Sequence, residues 1–321
     1  MTHSVFIDGA AGTTGLEIAD RLAGRAEFSL IVLDDAQRKN SDARRDALHS
    51  ADFAVLCLHD DAAREAVTMA EGARVRIIDA STAHRVAPGW TYGFPELVGR
   101  DAVANAARVS NPGCYPTGFL ALVAPLVRGG LLPADWAYSC NAVSGYSGGG
   151  KALIERFEAG QGGAGKTEKC DIAWRGYALD FGHKHVPEMQ GYAGLAHAPL
   201  FAPAVIAAHR GMVVEVPLPL AALSTFGPGA ATPAALRAEL ERFFAGSPVV
   251  RVVDAPADGE LLLRGSMAPW DGLDLMVLAS ADGTQARLVA RLDNLGKGAS
   301  GAAVQSLNLM AGLPETAGLR L

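Results

Sequence analysis

The stretch Ser4–Gly15, SVFIDGAAGTTG, decides the fold of the N-terminal part of the chain. Its apolar first residues end in Asp8, and a short continuous apolar run is typical of a strand covered on both faces. Three glycines follow at G-x-x-G-x-x-G spacing, and Thr13 opens an amphipathic segment. A strand, a glycine turn and a helix in this order predict the first unit of a parallel sheet that binds a nucleotide.

The same alternation of strands and helices continues through the first third of the chain. Apolar runs at Ser29–Asp34, Phe53–Leu58 and Arg76–Ala80 alternate with helical stretches at Thr13–Ala23, Ser41–Leu48 and Asp61–Glu71. Ser41 and Asp60 are expected to cap the second and third helices. The alternation predicts an α/β fold with a Rossmann-type parallel sheet.

The glycine turn is predicted to bind the pyrophosphate of a dinucleotide, because free N–H groups at a helix N-terminus attract an anion. The residues assigned to this contact are Gly9, Ala11, Gly12, Thr13, Thr14 and Gly15. Their spacing differs from the more usual G-x-G-x-x-G, so a glycine-rich turn without a ligand is the alternative.

The residues after the second strand bear on the choice between NAD and NADP. Asp34 follows the glycine turn at the distance of about 20 residues where a carboxylate accepts from a ribose hydroxyl of NAD. Arg38 and Lys39 come directly after it and are suited to the 2′-phosphate of NADP. On the residues alone this choice stays open.

Composition and charge exclude several classes of partner. The 321 residues are 50% hydrophobic and 19% charged, and the net charge of −6 gives no reason to expect nucleic acid or an anionic membrane as partner. No apolar stretch approaches the roughly 20 residues of a membrane span, and no secretory signal is recognisable. We therefore expect a soluble, cytoplasmic protein of two lobes.

Beyond residue 115 the pattern changes to shorter segments, several of which alternate between apolar and polar residues. Strands are predicted at Trp136–Val143, Met212–Leu220, Val249–Val253, Leu273–Ala279 and Arg287–Asp293, and helices at Phe119–Val127, Ala152–Phe157, Pro233–Phe244 and Gly301–Gly312. This pattern predicts an α+β domain with a mainly antiparallel sheet, one face of which is covered by helices.

Cys114 is the cysteine best suited to chemistry. The segment SNPGCYPTG places it in a tight turn just before a predicted helix, and Pro116 suits the first helical position. The positive end of a helix dipole lowers the pKa of a thiol and increases the nucleophilic thiolate population. Cys57 and Cys140 lie in strand-like runs as buried cysteines do, and Cys170 is expected at the surface.

The segment FGHKHVPE supplies a proton partner for this thiol. In an extended chain His183 and His185 project to the same side, and Glu188 follows in the first turn of a helix that begins near Pro187. One imidazole is predicted to act as general acid/base, oriented by Glu188. The alternative is a metal site with both histidines and Glu188 as ligands. We favour acid/base chemistry and expect no metal, because the chain also carries a nucleophile and a nucleotide turn.

Two further segments are predicted to hold an anionic substrate. Ser147 and Lys151 lie in SGYSGGGK, which follows a strand and opens a helix, although a flexible connector fits the same composition. Arg85 lies at the carboxyl end of the fourth strand, where doubly wound sheets bind ligands, although a solvated surface arginine is the alternative. Asn111 and His185 complete the set of predicted substrate-binding residues.

Together these segments resemble the short form of the N-acetyl-gamma-glutamyl-phosphate reductase family. The resemblance covers nearly the whole chain through Gly9–Gly15, Tyr92–Leu97, Ser110–Thr117, His183–Glu188, Leu292–Ala299 and Asn308–Thr316. The segment Asp79–Val86 departs from the family, because it reads DASTAHRV where an acidic-aromatic-arginine triplet is more common. Arg85 is retained, and the role of His84 is left open.

The resemblance implies a fold like that of aspartate-semialdehyde and glyceraldehyde-phosphate dehydrogenases. It implies an NADP-binding domain of residues 1–115 and 297–321, a catalytic and dimerisation domain of residues 116–296, and a homodimer or homotetramer. It implies NADP(H) as cofactor and the reduction of N-acetyl-gamma-glutamyl phosphate to the 5-semialdehyde and phosphate, in arginine biosynthesis. Cys114 would form a thioester, and His183 rather than His185 would be the acid/base.

Other activities remain as alternatives. Residue chemistry alone does not separate this substrate from an amino-adipyl or aspartyl phosphate. A cysteine hydrolase built on Cys114 and His183 leaves the nucleotide turn unexplained, and a metal-dependent hydrolase would need tightly bound zinc.

Overall fold

The computed structural model describes residues 2–159, 171–223 and 231–321. Cys170, predicted at the surface, lies outside the described residues. The chain divides into two compact units, a first unit of Met1–Gly113 with Ala299–Arg320 and a second unit of Cys114–Gly298. Among the described residues no helix is both long and apolar enough to cross a membrane.

A six-stranded parallel sheet forms the centre of the first unit, in the order β2-β1-β3-β4-β6-β5. Its strands are β1 (His3–Asp8), β2 (Phe28–Ile31), β3 (Phe53–Leu56), β4 (Arg76–Asp79), β5 (Thr91–Tyr92) and β6 (Arg108–Ser110). The helices of this part of the chain are α1 (Thr13–Leu22), α2 (Ser41–Ser50), α3 (Asp60–Met69), α4 (Pro95–Val98) and α5 (Arg100–Asn105). The predicted Rossmann-type parallel sheet is thereby confirmed.

Both faces of this sheet are buried, which explains why its strands are continuously apolar. Val5 and Ile7 of β1 belong to a core cluster that includes Ile18 of α1, whereas Phe6 belongs to a separate cluster with Leu48 of α2. Alternate side chains of one strand thus enter different cores, because successive Cβ atoms point to opposite faces.

The predicted caps of two helices were wrong by one residue. Asn40 caps α2, since its Oδ1 accepts from the N–H groups of Asp42 and Ala43. His59 holds the corresponding position at α3, so Asp60 lies in the first turn of that helix, where a carboxylate is favoured by the helix dipole. A sequence with capping residues at consecutive positions does not show which of them has the extended backbone of a cap.

A seven-stranded sheet forms the centre of the second unit, in the order β11-β12-β13-β10-β7-β9-β8. Its strands are β7 (Ser139–Gly145), β8 (Trp174–Gly176), β9 (Leu200–Ile206), β10 (Met212–Leu218), β11 (Val250–Val252), β12 (Leu273–Ala279) and β13 (Ala286–Leu292). The pairs β7–β9 and β11–β12 are parallel and the other four are antiparallel, so the predicted mainly antiparallel sheet is confirmed.

The helices of the second unit are α6 (Cys114–Arg128), α7 (Gly150–Glu158), α8 (Val186–Ala193), α9 (Leu220–Leu223) and α10 (Pro233–Phe243). The predicted start of α6 at Phe119 was wrong, because the helix begins at Cys114 and takes Pro116 into its first turn. Proline is tolerated there since the first N–H groups of a helix have no partner within it. Strand β9 was not predicted, and it contains Pro203, a residue that is uncommon inside a sheet.

Helix α6 packs closely on the middle of this sheet. A Cβ on Gly118 would lie 2.8 Å from Cγ2 of Val214 in β10 and 3.3 Å from Cβ of Ala290 in β13. Only glycine allows the helix backbone to approach the strands this closely. Twelve of the fifteen residues of α6 are buried, so the position of its first residue, Cys114, is held by the core of the unit.

The chain ends with helix α11 (Gly301–Met310), which belongs to the first unit. Val304 and Leu307 are almost completely buried and share a core cluster with Val5 and Ile7 of β1. Arg76 of β4 donates to the carbonyl oxygen of Met310 at the end of this helix. The final helix is therefore an integral part of the first core.

Gly118→Ala is expected to lower the free energy of unfolding by about 1–3 kcal/mol, because the added methyl group overpacks the core against Val214. Gly191→Ala is the matched control, since Gly191 also lies in a helix but a Cβ there meets no atom within 4 Å. Alanine favours the helix over glycine, so this control is expected to gain up to about 1 kcal/mol. Urea titration measures both changes, and effects of the same sign would contradict the packing argument.

Candidate active site

The glycine turn after β1 is fixed by steric constraints in the first unit. Gly9 has a φ of +86°, and a Cβ there would lie 2.3 Å from the carbonyl oxygen of Cys57. A Cβ on Gly15 would lie 2.5 Å from the carbonyl oxygen of Gly9. The turn thus brings three backbone segments so close together that side chains are excluded at Gly9 and Gly15. It is closed by a hydrogen bond from the N–H of Gly12 to the carbonyl oxygen of Gly9.

The N-terminus of α1 has the properties of an anion site. Gly12 occupies the cap position and provides no side chain that accepts from the helix, and the first turn carries no acidic residue. The N–H groups that follow, of Thr13, Thr14 and Gly15, have no acceptor within the helix because the first turn of any helix lacks them. A pyrophosphate is the ligand that such a terminus attracts.

A cavity of about 540 Å³ adjoins this turn, a volume typical of a ligand site. Its walls include Gly9, Ala10 and Ala11 of the turn and the apolar side chains of Leu16, Val32, Leu33 and Leu58. The charged lining residues are Arg38, Lys39, Arg44, Asp8 and Asp35. Apolar walls suit a purine base, and Arg38 and Lys39 suit a phosphate on the neighbouring ribose. The residues present therefore fit a nicotinamide dinucleotide phosphate.

The residues on which the choice between NAD and NADP depends lie in different places. Arg38 and Lys39 line the cavity, whereas Asp34 does not. The carboxylate of Asp34 instead accepts from the N–H groups of Ala36 and Gln37, at 3.0 and 2.8 Å, and so closes a local turn. Asp35 also lines the cavity, and its Oδ1 accepts from Nε of Arg38 at 2.8 Å. Because this ion pair is exposed it is weak, so Arg38 and Lys39 are still suited to the 2′-phosphate of NADP.

Asp8 at the end of β1 and Arg44 of α2 form a buried ion pair that the sequence did not predict. Nε and Nη2 of Arg44 donate to one oxygen of Asp8, at 3.0 and 2.9 Å, and both side chains are buried. Burial raises the pKa of the Asp8 carboxyl above its ordinary value, although Arg44 opposes this change. The pair ties α2 to the end of β1, and an arginine within an amphipathic helix gives no sign of such a partner.

The segment after β4 is held by a fully buried carboxylate. Asp79 accepts from Oγ of Ser81 at 2.7 Å and from Nδ1 of His84 at 2.6 Å. The imidazole of His84 also stacks on the indole of Trp90, with ring centroids 4.2 Å apart. His84, whose role was left open by the sequence, therefore anchors the segment that carries Arg85.

Arg85 and Asn111, two predicted substrate-binding residues, lie together in the first unit. Arg85 is buried, and its Nε donates to the carbonyl oxygen of Asn111 at 2.9 Å while Nη2 donates to that of Ala80 at 3.2 Å. Asn111 directly follows β6, so this arginine links the segments after two strands at the carboxyl edge of the sheet. Any contact of Arg85 with substrate stays a prediction.

Cys114 is the first residue of α6 in the second unit. The helix has fifteen residues and no acidic side chain in its first turn, so the field of its dipole favours a thiolate at this position. A Cβ on Gly298 would lie 2.9 Å from Cβ of Cys114, so a glycine is needed beside the thiol. By contrast, burial raises the pKa of Cys57 to about 12 and that of the fully buried Cys140 above its usual range, which makes both thiols poor nucleophiles.

An aromatic cluster gathers around the predicted acid/base residues of the second unit. The ring of His183 lies 4.6 Å from that of His185, 5.0 Å from that of Phe201 and 5.5 Å from that of Tyr177, measured between centroids. Tyr115, the residue after Cys114, lies 6.1 Å from His183 in the same measure. The fold therefore brings both histidines to the start of α6, although they follow it by about seventy residues in the sequence.

Two tyrosines of this cluster share a hydrogen bond, and negative charge on Cys114 raises the pKa of both. The hydroxyl of Tyr177 donates to that of Tyr115 at 3.3 Å, and Tyr115 donates to the carbonyl oxygen of Ala204 at 3.0 Å. Burial raises the pKa of Tyr177 to about 12, and negative charge on Cys114 contributes to the rise. Burial likewise raises the pKa of Tyr115, with a contribution from Cys114. Both phenols thus stay protonated near the thiolate.

The hydrogen bond between the two histidine residues defines the tautomer of His183. Nδ1 of His183 accepts from the backbone N–H of His185 at 3.1 Å. A neutral ring in this position carries its proton on Nε2, which makes Nε2 the donor. His185 is buried at the start of α8, and Glu188 is buried in the first turn of that helix.

The predicted phosphate residues of the second unit differ in their surroundings, and their role stays a prediction. Ser147 is buried and its hydroxyl accepts from Nδ2 of Asn294 at 2.9 Å, whereas Lys151 is exposed in the first turn of α7. A further polar group was missed, because fully buried Asp293 accepts from Nη1 of Arg210 at 2.9 Å. Within the described ranges no group of three or more histidine, cysteine, aspartate or glutamate side chains is arranged to hold a metal.

Two family models match the two parts of the chain. The model of the semialdehyde dehydrogenase NAD-binding domain matches residues 4–106, and that of the semialdehyde dehydrogenase dimerisation domain matches residues 114–294. Aspartate semialdehyde dehydrogenase II of Vibrio cholerae is similar in fold, with a TM-score of 0.71 at 17% identity over 97% of this chain and 99% of that one. The enzyme of Francisella tularensis gives a TM-score of 0.70 at 13% identity over 97% and 100%. The chain is thus a semialdehyde dehydrogenase in class, an oxidoreductase with a nicotinamide cofactor.

Relatives with much higher identity narrow this class. N-acetyl-gamma-glutamyl-phosphate reductase of Trichormus variabilis is 48% identical over 98% of both chains, and that of Brucella ovis is 48% identical over 97% of this chain and 100% of its own. N-acetyl-gamma-glutamyl-phosphate reductase 2 of Pseudomonas putida is 48% identical over 99% of both. The chain therefore belongs to the N-acetyl-gamma-glutamyl-phosphate reductase family, and the resemblance noted in its motifs is confirmed.

Replacement of both Arg38 and Lys39 by alanine is expected to raise the Kd for NADPH by at least about tenfold, because two charged partners of the 2′-phosphate are lost. The Kd for NADH, which lacks that phosphate, is expected to change less than about twofold. Arg45→Ala is the control, since Arg45 is an exposed arginine of the adjoining helix and does not line the cavity. Calorimetric titration measures each Kd. If the affinities for NADPH and NADH fall equally, Arg38 and Lys39 do not bind the 2′-phosphate.

Proposed function

We propose that this chain reduces N-acetyl-gamma-glutamyl phosphate to N-acetylglutamate 5-semialdehyde and phosphate with NADPH, as a step of arginine biosynthesis. The observation that carries the proposal is Cys114 at the N-terminus of α6, in one cluster with two histidines and two protonated phenols. A hydrolase built on the same thiol would have no use for the cavity beside the glycine turn.

In the first step the thiolate of Cys114 attacks the gamma-carbonyl carbon, and the bond from that carbon to the phosphate oxygen breaks. Phosphate leaves with the electron pair, and the acyl group remains on sulfur as a thioester. The helix dipole supports this step because it stabilises the thiolate before attack. The protonated phenols of Tyr115 and Tyr177 do not compete as nucleophiles.

In the second step the thioester carbon is reduced by two electrons. NADPH, when held at the glycine turn, would supply the hydride. A thioester accepts a hydride more readily than an oxygen ester does, because sulfur donates weakly into the carbonyl. The carbonyl oxygen gains negative charge, and we assign Nε2–H of His183 to stabilise it by sharing its proton in a hydrogen bond. The neutral tautomer supports this role, since Nδ1 already accepts from the N–H of His185. The C=O bond then re-forms from this oxygen, the C–S bond breaks with its electron pair going to sulfur, and the aldehyde and the Cys114 thiolate are released.

The remaining predicted site residues take supporting roles in this proposal. The turn Gly9–Gly15, with Arg38 and Lys39, would hold the cofactor, and Arg85 and Asn111 would contact the substrate. Glu188 and His185 would position His183, because both are buried at the start of α8. Ser147 would act by orienting Asn294, and exposed Lys151 would attract the phosphate group.

We further propose that the chain works as a homodimer or homotetramer in the cytoplasm. The match of residues 114–294 to a dimerisation domain supports self-association. A free thiol such as Cys114 stays reduced in that compartment, which supports the location. Light scattering at several protein concentrations would determine the number of subunits.

A panel of acyl phosphates tests the proposed substrate. NADPH oxidation is expected to require an acyl phosphate and to be fastest with N-acetyl-gamma-glutamyl phosphate. Faster turnover of aspartyl or amino-adipyl phosphate would transfer the activity to a related reductase. If the activity depends on tightly bound zinc, or proceeds without NADPH, the chain is a hydrolase and not a reductase.

Cys114→Ser is expected to lower kcat by at least about a thousandfold, because the variant lacks the thiolate that forms the acyl intermediate. Its Kd for NADPH is expected to stay within about twofold of the wild-type value. Cys140→Ala is the control and should retain turnover, since Cys140 is a buried strand residue outside the site. A Cys114→Ser variant that still reduces the acyl phosphate would exclude the thioester route.

His183→Asn is expected to lower kcat by about a hundredfold or more, because the Nε2–H that shares its proton with the reacting oxygen is lost. His185→Asn is expected to cost less, since the backbone N–H that orients His183 is retained in that variant. The pH dependence of kcat for both variants distinguishes loss of an acid from loss of packing. If His185→Asn is the slower variant and loses the acid limb, the acid/base role belongs to His185.

A further inference from the structure

Asn111 holds a buried acceptor for which the protein provides no donor. Its side chain is 2% exposed, and within the described part of the chain no donor lies within hydrogen-bond distance of Oδ1. The orientation of the amide is determined by its other end, because Nδ2 donates to the carbonyl oxygen of Ala299 at 3.0 Å. Oδ1 is therefore the acceptor and cannot be exchanged with the nitrogen by a flip of the amide.

The other polar atoms of Asn111 all have partners. Its N–H donates to the carbonyl oxygen of Asp79 at 2.7 Å, and its own carbonyl oxygen accepts from Nε of Arg85 at 2.9 Å. Buried polar atoms in folded proteins nearly always find a partner, from the protein, from water or from a ligand. An unfilled buried acceptor of this kind is therefore a place where a donor from outside the chain, either a water or a ligand, can bind, and its position in the fold distinguishes the two.

The position of Asn111 in the sheet indicates where such a donor comes from. Asn111 follows β6, which lies three strands from β1 in the order β1-β3-β4-β6, or about 14 Å along the carboxyl edge. Arg38 and Lys39 lie at the opposite side, after β2. A dinucleotide with its phosphate-bearing ribose at these cations and its pyrophosphate on the glycine turn must extend its other half toward β4 and β6.

We propose that Oδ1 of Asn111 accepts a hydrogen bond from an amide N–H of a bound ligand. Two ligands of the proposed function carry this group, namely NADP in the carboxamide of its nicotinamide ring and the substrate in its acetamido group. The proposal rests on the proposed function for the identity of these ligands. Asn111 then acts as a specificity-determining residue, because a ligand without the N–H leaves the buried oxygen unfilled.

Asn308 provides a matched control within the same unit. Its side chain is fully buried, Nδ2 donates to the carbonyl oxygens of Glu315 and Ala317, and within the described residues Oδ1 has no donor. Asn308 lies in α11 and ties the helix to the segment that follows, so its bonds are structural. Its replacement removes the same chemical groups without altering the carboxyl edge of the sheet.

The first experiment tests the carboxamide in the absence of substrate. Kd values for NADP and for its 3-acetylpyridine analogue, a methyl ketone that lacks the N–H, are measured by calorimetry on wild type, Asn111→Ala and Asn308→Ala. If the carboxamide is the donor, Asn111→Ala binds NADP about tenfold more weakly than wild type does. Its Kd for the analogue is then the same as that of wild type. Asn308→Ala is expected to bind both as wild type does.

The second experiment tests the acetamido group on the NADP complex. N-acetylglutamate and an analogue with a methylene group in place of its N–H are titrated into wild type and Asn111→Ala. If the substrate is the donor, only N-acetylglutamate loses about tenfold in affinity. The proposal is overturned if Asn111→Ala loses the same affinity for ligand and analogue in both experiments, or loses none in either. The partner of Oδ1 would then be a buried water.

Asn111→Asp keeps the proposal testable if the alanine variant does not fold. It retains an acceptor oxygen but loses the donor to Ala299, so it is expected to keep the wild-type preference for the ligand that carries the N–H. If Asn111→Asp loses that preference, the preference depends on the hydrogen bond from Nδ2 to Ala299 and not on Oδ1. Failure of the proposed function is distinguishable, because wild-type protein would then not bind NADP or not reduce N-acetyl-gamma-glutamyl phosphate.

Discussion

The close approach of backbone to backbone around α6 is the constraint on which the second unit depends. Gly118 lets the helix lie directly on β10 and β13, and Gly298 leaves room for Cys114 at its first turn. A helix held this firmly keeps its dipole directed at one point, so the field that favours a thiolate comes from the same packing that stabilises the core. The nucleophile is thus placed by steric exclusion more than by polar contacts of its own.

The first unit uses the same device for a different ligand. Gly9 and Gly15 bring β1, α1 and the end of β3 into contact, and the uncapped N-terminus of α1 is left for an anion. The ion pair of Asp8 and Arg44 then fixes α2 behind the turn. In both units a helix N-terminus, held by glycine contacts, is aimed at negative charge, in one case a pyrophosphate and in the other a thiolate.

Much of this could be read from the sequence because it depends on local pattern. The parallel sheet follows from continuous apolar runs, and the choice of Cys114 among four cysteines follows from its place before a helix. What the sequence could not show depends on partners distant along the chain. Asp34 has the right spacing for a ribose but is engaged by its own turn, and nothing near Asp8 points to Arg44. The start of α6 was predicted at Phe119, five residues after its true first residue, because the apolar pattern of a helix does not mark its first turn.

The return of α11 to the first unit has a consequence for biosynthesis. Val304 and Leu307 belong to the same core cluster as β1, so the apolar face that they cover is incomplete until residues 299–320 have left the ribosome. Residues 114–298 are contiguous and can complete their own core earlier. We therefore expect residues 114–298 to fold before the first unit does, the reverse of the usual order in which the N-terminal domain folds first during synthesis. Until α11 has been synthesised, the nascent nucleotide-binding part is expected to expose apolar surface of the kind that chaperones recognise.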